Sequence, residues 1–321
     1  MRQSLSVDSQ SQERVIRAEG LRKRFGRTQA LDGLDLDVLR GQVHGFLGPN
    51  GAGKSTTIRA ILGQLRLDGG ALTVFGRHPR RDAVAIHTDL AYVPGDTVLW
   101  PNLTGGECID LLGRFSGRQD RTRRDELVDA FGLDPTKHTR SYSKGNRQKV
   151  ALIAALATRA PLLLLDEPTS GLDPIMEEVF CAQVRRARDE GATVLLSSHI
   201  LDEVEVLCDR VTIIRAGRTA FTGTLDQLRA GTRTTVQVTT ATSFTPPAGA
   251  ADLIRAEAGD GVHTAFTVAR DDLSATLLTL AHAQPTAVVV RPPELEQLFL
   301  EHYADEPADR DLTEARREVA S

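Results

Sequence analysis

The segment of this 321-residue chain with the clearest chemical meaning is a glycine-rich run that ends in lysine and serine. Residues 48–55 read GPNGAGKS and fit the pattern GxxxxGKS/T, between a strand pattern (VHGFL) and a helix pattern (STTIRAILGQL). Glycines let backbone N–H groups surround a phosphate, and the helix dipole adds positive potential. Lys54 is expected to bridge the β- and γ-phosphates, and Ser55 to bind Mg²⁺, so this phosphate cradle predicts nucleotide binding. Its predicted contacts are Gly48, Asn50, Gly51, Gly53, Lys54, Ser55 and Thr56.

Two acidic residues follow the apolar run Leu162–Leu165, at the expected end of a strand. Adjacent carboxylates are costly to bury without a cation, and a Mg²⁺ ion held by phosphates would supply one. Because side chains alternate along a strand, we expect Asp166 to reach the metal and Glu167 to orient the attacking water as general base. His199 follows a second strand pattern, Thr193–Ser197, and is interpreted as a γ-phosphate sensor at the ligand-binding edge of a parallel sheet.

The elements that position these residues follow from an alternation of apolar runs and amphipathic stretches. Between residue 15 and about residue 231 this alternation predicts an α/β domain. The composition then changes, and strand and helix patterns over residues 232–303 predict a small α+β accessory domain. Residues 1–14 are expected to form a disordered leader, and the charged residues 304–321 a flexible tail.

Composition narrows the classes of function. The formal net charge of −4 argues against nucleic acid as a partner, because phosphate contacts favour a basic surface. Three scattered cysteines form no CxxC pair and are expected to be free thiols. The most apolar region, residues 150–165, is interrupted by polar residues and proline, short of the roughly 20 apolar residues that a membrane span requires. The polar N-terminus does not resemble a signal peptide. We therefore expect another chain to hold this protein at any membrane.

Residues 141–150 (SYSKGNRQKV) resemble the LSGGQ signature of ABC transporter ATPases. Ser143 and Gly145 are retained, next to the apolar helix pattern Val150–Leu156. The resemblance implies a P-loop NTPase fold of the ABC type, with a mixed sheet core and a helical subdomain at about residues 96–160. It also implies that Ser143 and Gly145 bind the nucleotide. The departures from the signature are Tyr142, Lys144 and Asn146.

Further positions match the same family in order along the chain. Phe25 resembles the aromatic residue that stacks on adenine, and Ser170–Asp173 resembles the loop that joins two subunits. His199 falls at the family's switch histidine. Lys144 has two open interpretations, a second cation near the γ-phosphate or a solvated side chain.

One position departs from the family in a way that matters for the metal. Gly95 stands where these ATPases usually have a glutamine that contacts Mg²⁺ and the membrane subunit. Asp96 or a water could replace that contact, or the contact could be absent. The resemblance also implies a docking groove for a membrane subunit around residues 94–140, with Leu99 and Trp100 as candidate contacts.

The resemblance implies a complete functional scheme. Two copies of the chain would sandwich ATP and Mg²⁺ as a homodimer, each site combining the cradle of one copy with the signature of the other. The segment Arg291–Glu301 is similar to the tail of ATP-binding subunits of ABC-2 type exporters, which points to antibiotic or drug efflux through a separate permease. The expected location is peripheral, on the cytoplasmic face of the plasma membrane. The alternatives are an importer ATPase, an ABC ATPase that acts outside transport, and a non-catalytic binding module.

Overall fold

The computed structural model describes residues 13–198, 200–229, 233–242, 244–247, 249–258 and 261–291. They divide into two compact units on either side of the Leu225–Asp226 bond. The domain boundary expected near residue 231 stays a prediction, because residues 230–232 lie outside the described ranges. Most of the expected leader and all of the expected tail also lie outside these ranges. No helix in the described ranges combines the length and the hydropathy needed to cross a membrane.

Thirteen strands and nine helices make up the described ranges. The strands are β1 (Arg14–Phe25), β2 (Thr28–Leu39), β3 (Val43–Leu47), β4 (Gly69–Val74), β5 (Leu90–Val93), β6 (Leu162–Asp166), β7 (Thr193–Ser198), β8 (Arg210–Arg215), β9 (Arg218–Gly223), β10 (Arg233–Thr240), β11 (Ala251–Ala258), β12 (Gly261–Ala269) and β13 (Ala287–Arg291). The helices are α1 (Lys54–Ile61), α2 (Ala83–Thr88), α3 (Gly105–Ser116), α4 (Arg121–Ala130), α5 (Lys144–Leu156), α6 (Pro174–Asp189), α7 (Leu201–Leu207), α8 (Leu225–Arg229) and α9 (Leu273–His282).

A six-stranded sheet in the order β5-β6-β7-β3-β8-β9 forms the centre of the first unit. Its neighbours are parallel except for β8 and β9, which pair antiparallel. All of β3 and the four leucines of β6 are buried, which explains their apolar sequences. Because β6, β7 and β3 are adjacent, their carboxyl ends bring the acidic pair, the segment after Ser198 and the phosphate cradle to one edge of the sheet.

A three-stranded antiparallel sheet, β2-β1-β4, shares its hydrophobic core with the central sheet. Leu21 of β1 and Leu34 of β2 belong to the same buried cluster as Phe46 of β3, Ile58 of α1 and Leu164 of β6. This cluster fixes the position of α1, the helix that begins at the cradle, because close-packed interiors leave little room for a helix to shift.

The helices between β5 and β6 form the helical subdomain. Helix α3 begins with a capping box, in which the Thr104 hydroxyl accepts from the Glu107 N–H at 3.2 Å and the Glu107 carboxylate accepts from the Thr104 N–H at 2.8 Å. Helices α3 and α4 pack against α5, which is buried throughout from Val150 to Leu156. The mixed sheet with this helical subdomain confirms the predicted fold class.

The second unit contains a four-stranded antiparallel sheet in the order β11-β12-β10-β13, with helix α9. Val236 and Val238 of β10, Phe266 and Val268 of β12 and Leu280 of α9 form its core. Strand β10 alternates between buried and accessible side chains, as a strand with one buried face does. These elements confirm the predicted α+β architecture of the accessory domain.

Candidate nucleotide-binding and catalytic site

The phosphate cradle joins the end of β3 to the start of α1. Gly53 caps the helix with a φ of 115°, and a Cβ at this position would lie 2.8 Å from the carbonyl oxygen of Ala30, so glycine is required. The Thr57 hydroxyl donates to the Gly53 carbonyl at 3.0 Å and holds the first turn. Asn50 and Gly51 are exposed at the tip of the loop, where a ligand can reach them. The predicted contacts Gly48, Asn50, Gly51, Gly53, Lys54, Ser55 and Thr56 all lie on this loop and the first turn of α1.

The Lys54 side chain turns back into the cradle. Its Nζ donates to the carbonyl oxygens of Gly48 at 2.5 Å and Pro49 at 3.2 Å, and the residue is only 6% exposed. Burial lowers the pKa of Lys54, while the nearby carboxylates of Glu167 and Asp166 oppose that shift. The ammonium group is therefore held at the cradle by weak carbonyl acceptors, which the oxygens of a phosphate could replace.

Asp166 ends β6 as a largely buried carboxylate. Burial raises its pKa, and the neighbouring Glu167 acts in the same direction, while the nearby Ser197 hydroxyl and the charge of Lys54 act against them. The Ser55 hydroxyl is exposed in the first turn of α1. The carboxylate of Asp166 and the hydroxyl of Ser55 are hard oxygen ligands. Both residues therefore fit a Mg²⁺ ion whose other ligands would be phosphate and water oxygens. No cluster of three or more His, Cys, Asp or Glu side chains suited to a metal occurs in the described ranges.

Glu167 adopts a backbone conformation that is unusual for a residue other than glycine. Its φ is 47°, in the left-handed region, which costs about 1–3 kcal/mol at such a site. Its N–H donates to the Ser197 carbonyl at 2.8 Å, which ties the residue to β7. The Glu167 backbone thus leaves the extended conformation of β6 directly after Asp166.

The buried carboxylate of Glu203 connects the segments that follow β6 and β7, and it was not predicted from the sequence. Glu203 of α7 accepts from the hydroxyl of Thr169, which follows the acidic pair, and from the Ser198 hydroxyl at 3.0 Å. Ser198 in turn accepts from the N–H of Ile200 at 2.9 Å. His199, the predicted γ-phosphate sensor, lies outside the described residues. No sequence pattern marked Glu203, because its partners lie far apart in the chain.

The signature turn, residues 141–147, contacts the Ser170–Asp173 loop within the same chain. The Ser143 hydroxyl caps α5 by accepting from the Asn146 N–H at 3.2 Å. A Cβ on Gly145 would collide with the carbonyl oxygen of Gly171, so this approach requires glycine. The Lys144 ammonium donates to the Ser170 hydroxyl at 2.6 Å, an arrangement that neither interpretation of Lys144 included. The structure thus places Ser143 and Gly145 together at the start of α5.

The turn after β5 occupies the place where the family's glutamine would lie. A Cβ on Gly95 would be 3.1 Å from the Asp166 carbonyl oxygen and 3.3 Å from the Glu167 Cβ, so the backbone itself packs against the acidic pair. Asp96 is exposed. Gln148 of α5 is buried, accepts from the Thr97 hydroxyl at 2.8 Å and donates to the Pro94 carbonyl at 3.3 Å. The sequence analysis missed this link, although Gln148 lies inside the signature stretch.

Phe25 lies at the end of β1 with 49% of its surface exposed, so it is not a core residue. The Lys23 ammonium lies 5.3 Å from the ring centroid and also pairs with Asp68 at 3.1 Å. An exposed aromatic ring offers a flat apolar surface on which a nucleobase can stack. The structure therefore leaves Phe25 available for the predicted contact with adenine.

A small cavity of about 160 Å³ lies within the region predicted to dock a membrane subunit. Tyr92, Pro94 and Thr97 line one side, and alanines of α5 line the other. Leu99 and Trp100 also line it, and Trp100 is 45% exposed. The groove is thus apolar and accessible. Thr97, which lines it, is hydrogen-bonded to Gln148 of α5, the helix that begins at the signature turn.

Comparisons with known proteins agree with this geometry. The family described as "ABC transporter" matches residues 31–170. Daunorubicin resistance ATP-binding protein DrrA3 of Streptomyces coeruleorubidus is 36% identical over 94% of this chain and 98% of its own length. Daunorubicin/doxorubicin resistance ATP-binding protein DrrA of Streptomyces peucetius is 35% identical over 95% of this chain and 97% of its own length. A solved structure titled "Structure of ATP binding subunit of ABC transporter" is 31% identical, with a TM-score of 0.64, over 67% of this chain and 92% of its own.

A phosphate cradle, an acidic pair and a signature turn on this mixed sheet define an ATPase of the P-loop class. The chain belongs to the ATP-binding proteins of the ABC transporter family. It binds ATP and hydrolyses it, as the members of this family do.

Proposed function

We propose that this chain powers an exporter that removes a drug-like or antibiotic-like compound through a separate ABC-2 type permease. The observation that carries the proposal is the similarity to two daunorubicin resistance proteins, which extends over both units of the chain. An importer ATPase, an ABC ATPase that acts outside transport and a non-catalytic module are disfavoured, because several relatives are named as resistance proteins and the acidic pair and the cradle lysine are intact.

The proposed site binds ATP through Phe25, the cradle residues and Lys54. Ser55 and Asp166 would hold Mg²⁺, which neutralises phosphate charge when it is bound. We keep Asp96 as the candidate metal contact from the turn after β5, because Gly95 has no side chain to offer. Glu167 accepts a proton from the attacking water and orients it, with His199 as the proposed γ-phosphate sensor.

Each ATP is proposed to be bound by two copies of the chain. The cradle of one copy supplies Lys54, and the signature turn of the other supplies Ser143 and Gly145 with the positive end of the α5 dipole. The Ser170–Asp173 loop contacts that signature turn within one chain, so it is well placed to report closure of the homodimer. Hydrolysis produces two anions that repel each other, which opens the pair.

The motion is proposed to pass to the permease through the groove that Leu99 and Trp100 line. The groove adjoins Thr97, which Gln148 ties to the signature helix, so closure at the nucleotide would shift the docking surface. In this arrangement the chain lies peripherally on the cytoplasmic face of the plasma membrane. No nucleic acid partner is proposed.

The test is transport by the chain together with the permease that co-purifies with it. Inside-out vesicles that contain both should accumulate daunorubicin, followed by its fluorescence, only when ATP is present, and Glu167→Gln should abolish the accumulation. The matched control Glu178→Gln, an exposed acid of α6, should leave it unchanged. ATP-driven movement of compounds out of these vesicles would identify an importer. Co-purification with ribosomes and no membrane protein would contradict transport altogether.

A further inference from the structure

A second concavity lies at the edge of the central sheet opposite the nucleotide site. It has a volume of about 260 Å³. Its walls are the residues immediately before β6 and β7, the Arg40 turn before β3, and α4. Because these strands are parallel, their amino ends lie at the edge opposite the phosphate cradle and the acidic pair. We call this cavity the arginine cleft, after Arg40, Arg123 and Arg159, which line it.

Arg123 is the unusual residue of the arginine cleft. It is 2% exposed, and its Nε and Nη1 atoms are buried without a hydrogen-bond acceptor among the described residues. Its one ion-pair contact is with Glu126, at 3.5 Å. Burial lowers the pKa of Arg123 and the charge of Arg186 adds to that shift, while the carboxylates of Glu190 and Glu126 oppose it. A buried guanidinium whose N–H groups lack acceptors costs free energy that an anion in the cleft would recover.

Two carboxylates lie near Arg123, those of Glu126 and Glu190, and Glu190 lines the cleft; both are held by Arg186. Glu126 accepts from Arg186 at 3.0 Å, closer than its contact with Arg123, and Glu190 also accepts from Arg186 at 3.0 Å. Among the described residues, Nη1 of Arg123 therefore has the 3.5 Å ion pair with Glu126 but no hydrogen bond, and Nε has no hydrogen-bond acceptor.

The two other arginines keep donors available although each has a carboxylate partner. Arg40 pairs with Glu13 through two contacts of 2.8 Å, and Arg159 pairs with Asp120 at 3.0 Å. A guanidinium carries five N–H donors, so one carboxylate does not use them all. Both side chains are about half exposed, so they can turn toward a ligand that enters the cleft.

We propose that the arginine cleft binds a compact phosphate group, either as inorganic phosphate or as the phosphate monoester of a small molecule. Planar guanidinium forks match the oxygens of a phosphate in pairs, and a dianion suits several converging arginines. The volume holds a phosphate with a small organic part. A larger cavity of about 960 Å³ beside β4 also contains arginines, but all four of them are exposed to solvent, so none has a desolvated donor for an anion to satisfy: Arg66, Arg77, Arg80 and Arg81.

The test measures phosphate binding in chains whose cradle is disabled by Lys54→Ala. Equilibrium dialysis against radiolabelled inorganic phosphate should give saturable binding, and Arg123→Met should weaken it at least about tenfold. Arg121→Met, an exposed residue two positions away on α4, is the matched control and should bind phosphate as the parent does. Glycerol 3-phosphate in a second arm should compete with the label, and tighter binding than that of inorganic phosphate would identify an organic monoester as the ligand.

Thermal unfolding separates a binding role for Arg123 from a structural one. Without phosphate, Arg123→Met should keep or raise the unfolding midpoint, because it removes a poorly compensated buried charge. Arg159→Ala is a second test variant. Because Arg159 is exposed, its substitution should leave the fold intact, and it should also weaken phosphate binding. Equal phosphate affinity in the parent, Arg123→Met and Arg159→Ala chains, or no saturable binding in any of them, would overturn the proposal.

Discussion

Asp166 and Glu167 are consecutive carboxylates, yet burial and backbone geometry give them different environments. Asp166 is held in the β6–β7 ladder opposite Ser197, and burial raises its pKa. Glu167 leaves the strand with a positive φ and is fixed through its N–H to the Ser197 carbonyl. A residue that turns away from the ladder can face a bound γ-phosphate, as the proposed role of Glu167 requires. The backbone turn is thus compatible with the proposed assignment of Glu167 as base and Asp166 as metal ligand, which was predicted from the alternation of side chains along the strand.

The first prediction concerns Glu167. Glu167→Gln keeps the size of the side chain and removes the base, so ATP should still bind while hydrolysis falls by about 10²–10⁴-fold. Phosphate release under saturating ATP measures the rate, and titration with a fluorescent ATP analogue measures binding. Glu178→Gln, on the exposed side of α6, is the control and should hydrolyse ATP at the parental rate. Unchanged turnover in Glu167→Gln would remove this residue as the base.

Lys54 carries the second prediction. The ammonium already lies in the cradle on two carbonyl oxygens, and a phosphate would replace these with charged acceptors. Lys54→Ala should therefore weaken ATP binding by about 1.5–3 kcal/mol, or roughly tenfold to a hundredfold, in the same titration. Arg59→Ala on the same helix is exposed and should have a much smaller effect. An unchanged affinity for ATP in Lys54→Ala would refute the role of the cradle lysine.

At the scale of the elements, β3 delivers the cradle and also contains a buried histidine. His44 contacts Gln42 at 3.2 Å and Thr212 at 2.8 Å, and burial lowers its pKa to about 3, with a smaller contribution from the charge of Arg210. The folded state therefore keeps His44 neutral, whereas the unfolded chain binds a proton below the ordinary histidine pKa of about 6.5. Stability from this residue is complete above that value and falls as the pH decreases toward 3.

The third prediction follows from this titration. Between pH 6 and pH 4, His44 should contribute about 1.4 kcal/mol per pH unit to the loss of unfolding free energy. His44→Gln should lower stability at pH 7 and flatten this slope by that amount, measured by urea denaturation across the range. His87→Gln, at an exposed position of α2, is the control and should leave most of the slope in place. Equal slopes in the parent and His44→Gln chains would contradict the buried neutral histidine.

The turn after β5 and helix α5 are joined by one buried side chain, which gives the fourth prediction. Gln148→Leu would remove the 2.8 Å acceptor of the Thr97 hydroxyl and the 3.3 Å donor to the Pro94 carbonyl, at a cost of about 1–3 kcal/mol in unfolding free energy. Thr97→Val removes the donor of the same hydrogen bond. The unfolding free energy lost in the double variant should therefore be smaller than the sum of the two single losses, by at least about 0.5 kcal/mol. Denaturant titration of the four chains measures this coupling. Strictly additive losses would show that the two residues act independently.

The elements could be predicted from the sequence where one physical signal dominates. Unbroken apolar runs marked β3 and β6, and the alternation over residues 234–240 marked β10, because burial alone selects those residues. Strand β11, Ala251–Ala258, was not predicted, since exposed Leu253 and Ile254 break the expected alternation.

Within the candidate site, the motifs identified the residues but not their mutual contacts. The bond from Lys144 to Ser170 and the bond from Thr169 to Glu203 connect positions that are distant in the sequence. Such contacts depend on which strands are neighbours, and local patterns do not encode that order. The backbone turn at Glu167 was missed for the same reason, because its N–H donates to the Ser197 carbonyl of the adjacent strand β7.

In the proposed homodimer, one chain provides half of each nucleotide site. The cradle lies at the carboxyl end of β3, while Ser143 and Gly145 lie at the start of α5 in the helical subdomain. The backbone around Gly145 packs so closely on Gly171 that any side chain there would displace the signature turn. Gly145→Val therefore disables the half-site that one copy offers to the other, while its own cradle remains intact.

The most direct measurement is sedimentation of the purified Glu167→Gln chain with and without ATP, which is the fifth prediction. We predict the mass of a dimer with ATP and of a monomer without it. Glu167→Gln combined with Gly145→Val should remain a monomer although its cradle still binds ATP. A Glu167→Gln chain that stays monomeric when filled with ATP would contradict the shared site. So would a Gly145→Val chain that hydrolyses ATP at the parental rate per molecule at every dilution.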